Sequence, residues 1–222
     1  MKNFDFYEFA GLLAPGAVLL VGLPALYPKI GLIVQGKDVT AGELGLFVIM
    51  AYVTEHLVQS LSSMLEPLYE KLTGGRSSLC VQAGKCGFLS LEQIEAVKEQ
   101  LPTKLGLPAT LDITKLEKRA WLGIVSQIYA AVQAAGRSGR VDIFNGNYSL
   151  FRGLAIALLI IFVLVLYKHR LTSPDIVESL LLSIIAAVYR LRRFSVLYTR
   201  EVFVQFLQLP PPGYLHSQSL SS

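Results

Sequence analysis

Long charge-free apolar runs dominate the pattern of hydrophobic and polar positions along this chain. A bilayer's hydrocarbon core is about 30 Å thick, so a spanning helix needs roughly 20 mostly apolar residues. Phe9 to Pro28 meets that requirement without a charge, and Leu44 to Leu65 meets it with only Glu55 and His56 inside. A third run, Gly153 to Tyr167, reaches full length if Tyr148 to Arg152 enter the interface and the Arg152 guanidinium snorkels to the headgroups. The fourth, Ser179 to Tyr189, is short and spans only with Asp175 and Glu178 at one interface or against protein. The pattern predicts an all-α integral membrane protein with about four transmembrane helices and a small cytoplasmic helical domain.

That domain is read from the change of pattern between Pro67 and Asn147, where charged and apolar residues mix and turn signals recur. Ser90-Leu91-Glu92-Gln93 reads as an N-cap and first turn, leading a helix to about Leu101, where Pro102 should stop it. A longer helix is predicted over Asp112 to Ala135, with Ile113, Leu116, Ala120, Ile124, Ile128, Ala131 and Ala135 as its buried stripe. The expected organisation is an N-terminal transmembrane hairpin (1–66), the cytoplasmic helical domain (67–147), a C-terminal transmembrane hairpin with a cytoplasmic helical extension (148–209) and a disordered tail (210–222).

Composition strengthens the membrane reading. Of 222 residues 53% are hydrophobic and only 16% charged, with a mean hydropathy of +0.51, beyond the usual range of a soluble domain of this size. The leading segment carries Asp5 and Glu8 against Lys2 and no convincing small-residue cleavage site follows, so the first span is read as retained and not as a signal peptide. Charge then gives the spans an orientation. Of the 20 basic residues, only Lys29, Lys37, Lys168 and Arg170 fall in the two loops opposite the termini. The positive-inside rule thus expects a multi-pass inner-membrane protein with both termini cytoplasmic. Cys80 and Cys86 would then face a reducing compartment, where a structural disulfide is not expected. Their Cys-x5-Cys spacing has no second ligand pair, so neither a metal nor a cofactor is expected.

Ionisable groups inside a membrane helix are costly, which makes the second helix the most informative. Tyr52, Glu55, Gln59, Ser62 or Ser63, and Glu66 recur at three or four residues, with His56, Ser60 and Ser63 beside them, a polar stripe that should avoid lipid and whose candidate lining residues are Tyr52, Glu55, His56, Gln59 and Ser63. Two readings stand: an aqueous path with Glu55 as a ring of carboxylates in an oligomer, or interhelical hydrogen bonding. In the fourth helix Asp175, Ser179, Ser183 and Ala187 form a small-residue stripe suited to self-association. In the first, Pro15-Gly16 offers either a passive packing kink or a hinge.

Beyond the last span, Arg190, Arg193 and Arg200 share a helix face with Phe194 and Tyr198 beside it. Guanidinium forks next to aromatic planes suit phosphates and stacked bases, so these five are the candidate ligand-binding residues. The alternative is an anchor on anionic lipid. Gly136-Arg137-Ser138-Gly139-Arg140 lacks the Gly-x-x-x-x-Gly-Lys-Ser/Thr pattern and a preceding strand, so it reads as a solvated turn and not a phosphate loop. Glu55-His56 lacks the second histidine of a metalloprotease, and no catalytic set converges elsewhere, so the chain is not expected to be an enzyme.

Three segments carry a family resemblance: Phe6-Tyr7-Glu8-Phe9-Ala10-Gly11 ahead of an Ala-Pro-Gly first helix, Phe144 to Gly153, and Arg192-Arg193-Phe194 with Tyr198. Together they resemble small bacterial membrane proteins of antiviral defence, the membrane effector of the Hailong system in particular. The resemblance implies an effector that disrupts membranes, paired with a nucleotidyltransferase that makes a nucleic-acid signal. The expected function is an oligomeric membrane effector of bacterial antiviral defence, a channel or membrane-disrupting protein, controlled by a nucleotide or oligonucleotide. Its expected partners are the lipid bilayer, further copies of itself, that ligand and the nucleotidyltransferase. The rival expectation is a non-conducting anchor or scaffold that recruits a cytoplasmic partner.

Overall fold

In the computed structural model the described residues are 6–27, 40–73, 75–169 and 174–210. The proposed disordered tail past residue 210 and the loop charges Lys29, Lys37 and Arg170 lie outside them. Every element in the described residues is helical: α1 (Phe6–Leu26), α2 (Ala41–Thr73), α3 (Ser77–Gln82), α4 (Leu91–Leu105), a 3-10 turn (Ile113–Lys115), α5 (Lys118–Ala134), α6 (Gly139–His169) and α7 (Pro174–Leu207). Two of them, over Ala41–Lys71 and Gly139–Tyr167, are long and apolar enough to cross a membrane. In α1 the apolar stretch Leu13–Pro24 is shorter.

The chain divides into two compact units, Met1–Thr73 with Asn145–Phe194, and Gly74–Phe144 with Ser195–Ser222. In the first unit α1 packs along α2, and Leu19, Leu26, Val58, Ala157, Ile161 and Val165 form a core drawn from α1, α2 and α6. The closest approach is at Gly16. A Cβ there would stand 2.0 Å from the Ala51 carbonyl oxygen of α2. Gly153 of α6 is similarly tight, its hypothetical Cβ 2.8 Å from Pro15 Cγ and 2.9 Å from Glu55 Oε1. Pro15-Gly16 is therefore a packing point where three helix backbones converge.

The second unit is built around Trp121, Phe203 and Phe206, all fully buried, with Val81, Ile94, Val97, Leu101 and Ile128. Trp121 lies parallel to Phe203, ring centroids 6.1 Å apart, and its indole N–H donates to the Ser78 carbonyl at 2.9 Å. The last turns of α7, read from sequence as an extension, thus supply core residues to this unit. Helix α4 starts as expected: Ser90 accepts from the Gln93 amide and the Gln93 side chain accepts from the Ser90 amide, a complete capping box. Pro102 does not stop it. The helix runs on to Leu105, because a proline one turn from the C-terminus sacrifices a single hydrogen bond. Gly106 ends it in the left-handed region at φ 65°, donating to the Pro102 carbonyl.

The predicted helix over Asp112 to Ala135 is interrupted. Asp112 caps the 3-10 turn by accepting from Thr114 N–H and Oγ1, and Leu116 and Glu117 leave helical geometry before α5 begins at Lys118. The helix therefore starts later than expected. Ile124 and Ile128 of the expected stripe are buried, joined by Trp121 and Val132, while Ala120 is exposed. Asp112 also sits beside Lys115 at 3.3 Å, and its Thr114 hydrogen bonds hold its carboxyl below the ordinary aspartate range.

The cysteines also depart from expectation. Gly84, left-handed at φ 68°, turns the chain back after α3, bringing Cys80 and Cys86 within 5.1 Å at Cα, and they are joined as a disulfide. The turn, absent from any spacing argument, is what brings them together.

Three outcomes follow from this packing. Trp121→Ala removes the largest core side chain and its buried hydrogen bond, and should cost about 3–5 kcal/mol, read as an early loss of near-UV circular dichroism on heating. Gly16→Ala should abolish the α1–α2 packing and the yield of folded protein. Gly45→Ala, whose Cβ meets nothing within 4 Å, should be neutral or stabilising by about 0.5–1 kcal/mol in the same thermal assay.

Candidate functional site

In the first unit, the polar residues of α2 separate onto two sides. Glu55 is 0% exposed and Gln59 half-buried, whereas Tyr52 is 46% exposed and His56 and Ser63 are also on the outside. The five residues expected to line one path therefore do not share a face. His56 follows Glu55 directly and so lies about 100° further around the helix, with Tyr52 one turn before it on the same side, which puts Glu55 inward and Tyr52 and His56 outward.

The inward side forms a connected network. Gln59 Nε2 donates to Glu55 Oε1 at 3.0 Å and to Ser149 Oγ of α6 at 3.0 Å. Gln59 Oε1 accepts from Arg152 Nη2, also on α6, at 3.2 Å. Arginine can only donate, so this contact fixes which end of the amide faces it. The Arg152 guanidinium lies over the Tyr148 ring at 5.7 Å. Arg152, expected to reach outward to headgroups, thus bonds inward to Gln59. Glu55 Oε2 is buried without a well-formed hydrogen-bond partner among the described residues. Such an atom is costly in an apolar interior, and Gly16, Pro15 and Gly153 press the surrounding backbones against it.

The outward serines satisfy themselves locally. Ser60 Oγ donates to the His56 carbonyl and Ser63 Oγ to the Gln59 carbonyl, one turn back along α2. Tyr52 and His56 meet edge to face at 4.5 Å. Val53, Leu57, Leu61 and Met64 are exposed around them. On α7, Asp175, Ser179 and Ser183 of the small-residue stripe are exposed and Ala187 is buried, so three of its four members are open to a partner.

The basic aromatic residues of α7 fall in both units. In the first, Phe194 stacks on Phe151 at 5.6 Å and Arg190 lies over the same Phe151 ring at 6.0 Å, while Arg193 is exposed. In the second, Tyr198 packs beside the core and meets Tyr129 at 6.5 Å. Burial, and secondarily the Asp142 charge, push the Tyr198 hydroxyl above its ordinary range. Arg200 is exposed. The two aromatic rings already have protein neighbours, leaving the exposed guanidiniums as the groups open to a phosphate. The segment expected as a turn over Gly136 to Arg140 enters α6 at Gly139 and is structural: Ser138 Oγ donates to Asp142 at 2.7 Å, Arg137 to Gln208 Oε1 at 3.1 Å, and Arg140 pairs with Glu201 at 3.6 Å. Among the described residues no three His, Cys, Asp or Glu side chains gather as a metal-ligand set.

No protein-family model matches this chain, and searches of curated proteins and of solved structures likewise returned no match.

Ser149 and the inward role of Arg152 escaped sequence reasoning. The signal was present as a Ser-x-x-Arg-Gly spacing that sets Ser149, Arg152 and the close-packing Gly153 at neighbouring angles of α6. Gln59→Leu removes the shared partner of three polar groups and should destabilise the first unit by about 1–3 kcal/mol, whereas Ser149→Ala should cost under about 1 kcal/mol. Comparing their unfolding midpoints in detergent checks the ranking; equal midpoints would remove Gln59 as the hub.

Proposed function

We propose that this chain is a multi-pass membrane protein, with α1, α2, α6 and the first half of α7 as four spans and both termini cytoplasmic. It acts as an oligomeric effector of bacterial antiviral defence that opens the membrane under control of a nucleotide or oligonucleotide. The observation that carries the reading is the Glu55–Gln59–Ser149–Arg152 network, in which a fully buried Glu55 is tied to the half-buried Gln59, Ser149 and Arg152 beside an apolar core. A carboxylate and a guanidinium kept among apolar helices cost stability, and such groups in spanning segments serve ion paths or switches more often than packing. The resemblance of three segments to defence effectors supplies the setting. The exposed Asp175, Ser179 and Ser183 face favours close approach of a second copy. Arg193 and Arg200, exposed on α7, offer charge to a phosphate-bearing ligand. With the second unit in the cytoplasm, the Cys80–Cys86 pair would face a reducing environment that favours the open thiols.

In this conformation Glu55 is closed off from any water path, so conduction requires the network to rearrange. The same closure supports a second reading, a non-conducting anchor in which the network fastens α2 to α6 and the second unit recruits a partner. Flux measurements separate the two. Proteoliposomes loaded with potassium should release it when short oligonucleotides are added. Arg193→Ala with Arg200→Ala should weaken that response at least about tenfold, the loss of roughly 1.4 kcal/mol of ligand binding. Protein that stays monomeric in detergent and releases no potassium with or without oligonucleotide would establish the anchor reading instead.

A further inference from the structure

The exposed surface of α2 divides into two strips. At about 100° per residue, Tyr52, His56, Ser60 and Ser63 lie within about 80° of one another, and Val53, Leu57, Leu61 and Met64 fill the adjoining ~80°, all of them exposed. Ala51, Glu55, Val58 and Ser62 form the buried side of the same helix. Hydrocarbon can cover the apolar strip. The polar strip is different. Ser60 and Ser63 are satisfied by carbonyls of their own helix, but Tyr52 and His56 touch only ring to ring. Among the described residues neither the Tyr52 hydroxyl nor the His56 imidazole has a hydrogen-bond partner. Both residues stand near the middle of the apolar run Leu44 to Leu65, their Cα atoms within about 4 Å of its centre at ~1.5 Å rise per residue. A tyrosine at headgroup depth would find water. At hydrocarbon depth an unpaired hydroxyl or ring N–H is costly.

Resting on the membrane reading above, we propose that the polar strip of α2 is the contact with a second copy of this chain, made by α2 against α2 about a two-fold axis along the membrane normal. The choice of partner follows from the chemistry of the strip. A phenol and a neutral imidazole each hold a donor and an acceptor, so the Tyr52–His56 pair is complementary to itself. Copies inserted in one membrane share one orientation. Their α2 helices therefore run parallel and bring Tyr52 and His56 of each copy to a single depth, as a two-fold contact between identical patches requires. The satisfied serines pack there as small side chains, which lets the two backbones approach. Gln59 stands between Glu55 and Ser63 around α2, on the border of this strip. A second copy seated here abuts the network that ties α2 to α6.

The test places photoreactive benzoylphenylalanine in the full chain at Ile49, within the arc of the polar strip, or at Leu57, in the apolar strip. These positions are 60% and 67% exposed, so lipid alone would meet both alike. After irradiation of membranes from expressing cells, the Ile49 position should yield a covalent dimer whose adduct, mapped by mass spectrometry, joins α2 to α2, and the Leu57 position should not. The double change Tyr52→Phe with His56→Leu removes both polar ends from an exposed surface and keeps their bulk. Measured by dilution of the purified chain with lipid, it should weaken pairing about tenfold, the worth of two symmetry-related hydrogen bonds in a membrane interior, while the thermal midpoint is kept. Equal dimer yields from the two positions overturn the proposal. So does an Ile49 adduct to lipid alone, to another protein or to another helix of the chain, and so does undiminished pairing in the double variant. Failure of the underlying membrane reading is distinguishable, since the chain would then remain in the supernatant after detergent-free lysis and ultracentrifugation, whereas failure of this contact leaves it in the membrane pellet without the α2 adduct.

Discussion

The side-chain amide of Gln59 is the constraint on which the first unit turns. It spends both donors and its acceptor on Glu55, Ser149 and Arg152, and so ties a carboxylate on α2 to a guanidinium on α6 through a group that is itself uncharged. A direct Glu–Arg pair would require both ions to be desolvated at one point. The amide spreads that cost over three hydrogen bonds and fixes register between two helices that otherwise present interchangeable aliphatic surface. Close packing on the other side depends on the same place. Gly16 lets α1 reach the Ala51 carbonyl, and Gly153 lets α6 reach Pro15, so the polar network and the tightest backbone contacts coincide.

The two units solve the problem of burial differently. The second has an ordinary aromatic core, in which Trp121, Phe203 and Phe206 are wholly enclosed and Lys104 donates to the Phe206 and Leu207 carbonyls that end α7. Burial of that lysine lowers its pKa, and the two carbonyls compensate by accepting from its charged form. The first unit encloses little of its large apolar side chains. Leu57, Met64, Leu182 and Ile185 are all more than half exposed, along α2 and α7. Helices α6 and α7 contribute to both units, and their composition changes along their length to match.

Much of this was legible in the chain. Helix existence followed from apolar periodicity and run length, and the Ser90 capping box from a local pattern whose physics is complete within four residues. Errors arose where the deciding contact is distant. Pro102 is carried inside the last turn of α4, which Gly106 closes, and the start of α5 was set by the break after the Asp112 cap. The polar stripe of α2 was visible as spacing, yet its division into an inward Glu55 and outward Tyr52 and His56 depends on where α1 and α6 pack. No periodicity within α2 contains that information. Cys80 and Cys86 met through a left-handed Gly84 turn, which sequence spacing of six does not specify.

The exposed face of α2 carries the last step of the synthesis. Its serines return their hydrogen bonds to their own helix, which makes that surface polar in composition but nearly apolar in unsatisfied demand. A face of this kind can meet another helix at little cost, and it needs no water. On the inward side, the polar demand that cannot be met locally is that of Glu55 Oε2. Separating α2 from α6 would break the Gln59 bonds to Ser149 and Arg152, whereas its bond to Glu55 is internal to α2 and would survive, so one amide and its two α6 partners hold the two helices in register.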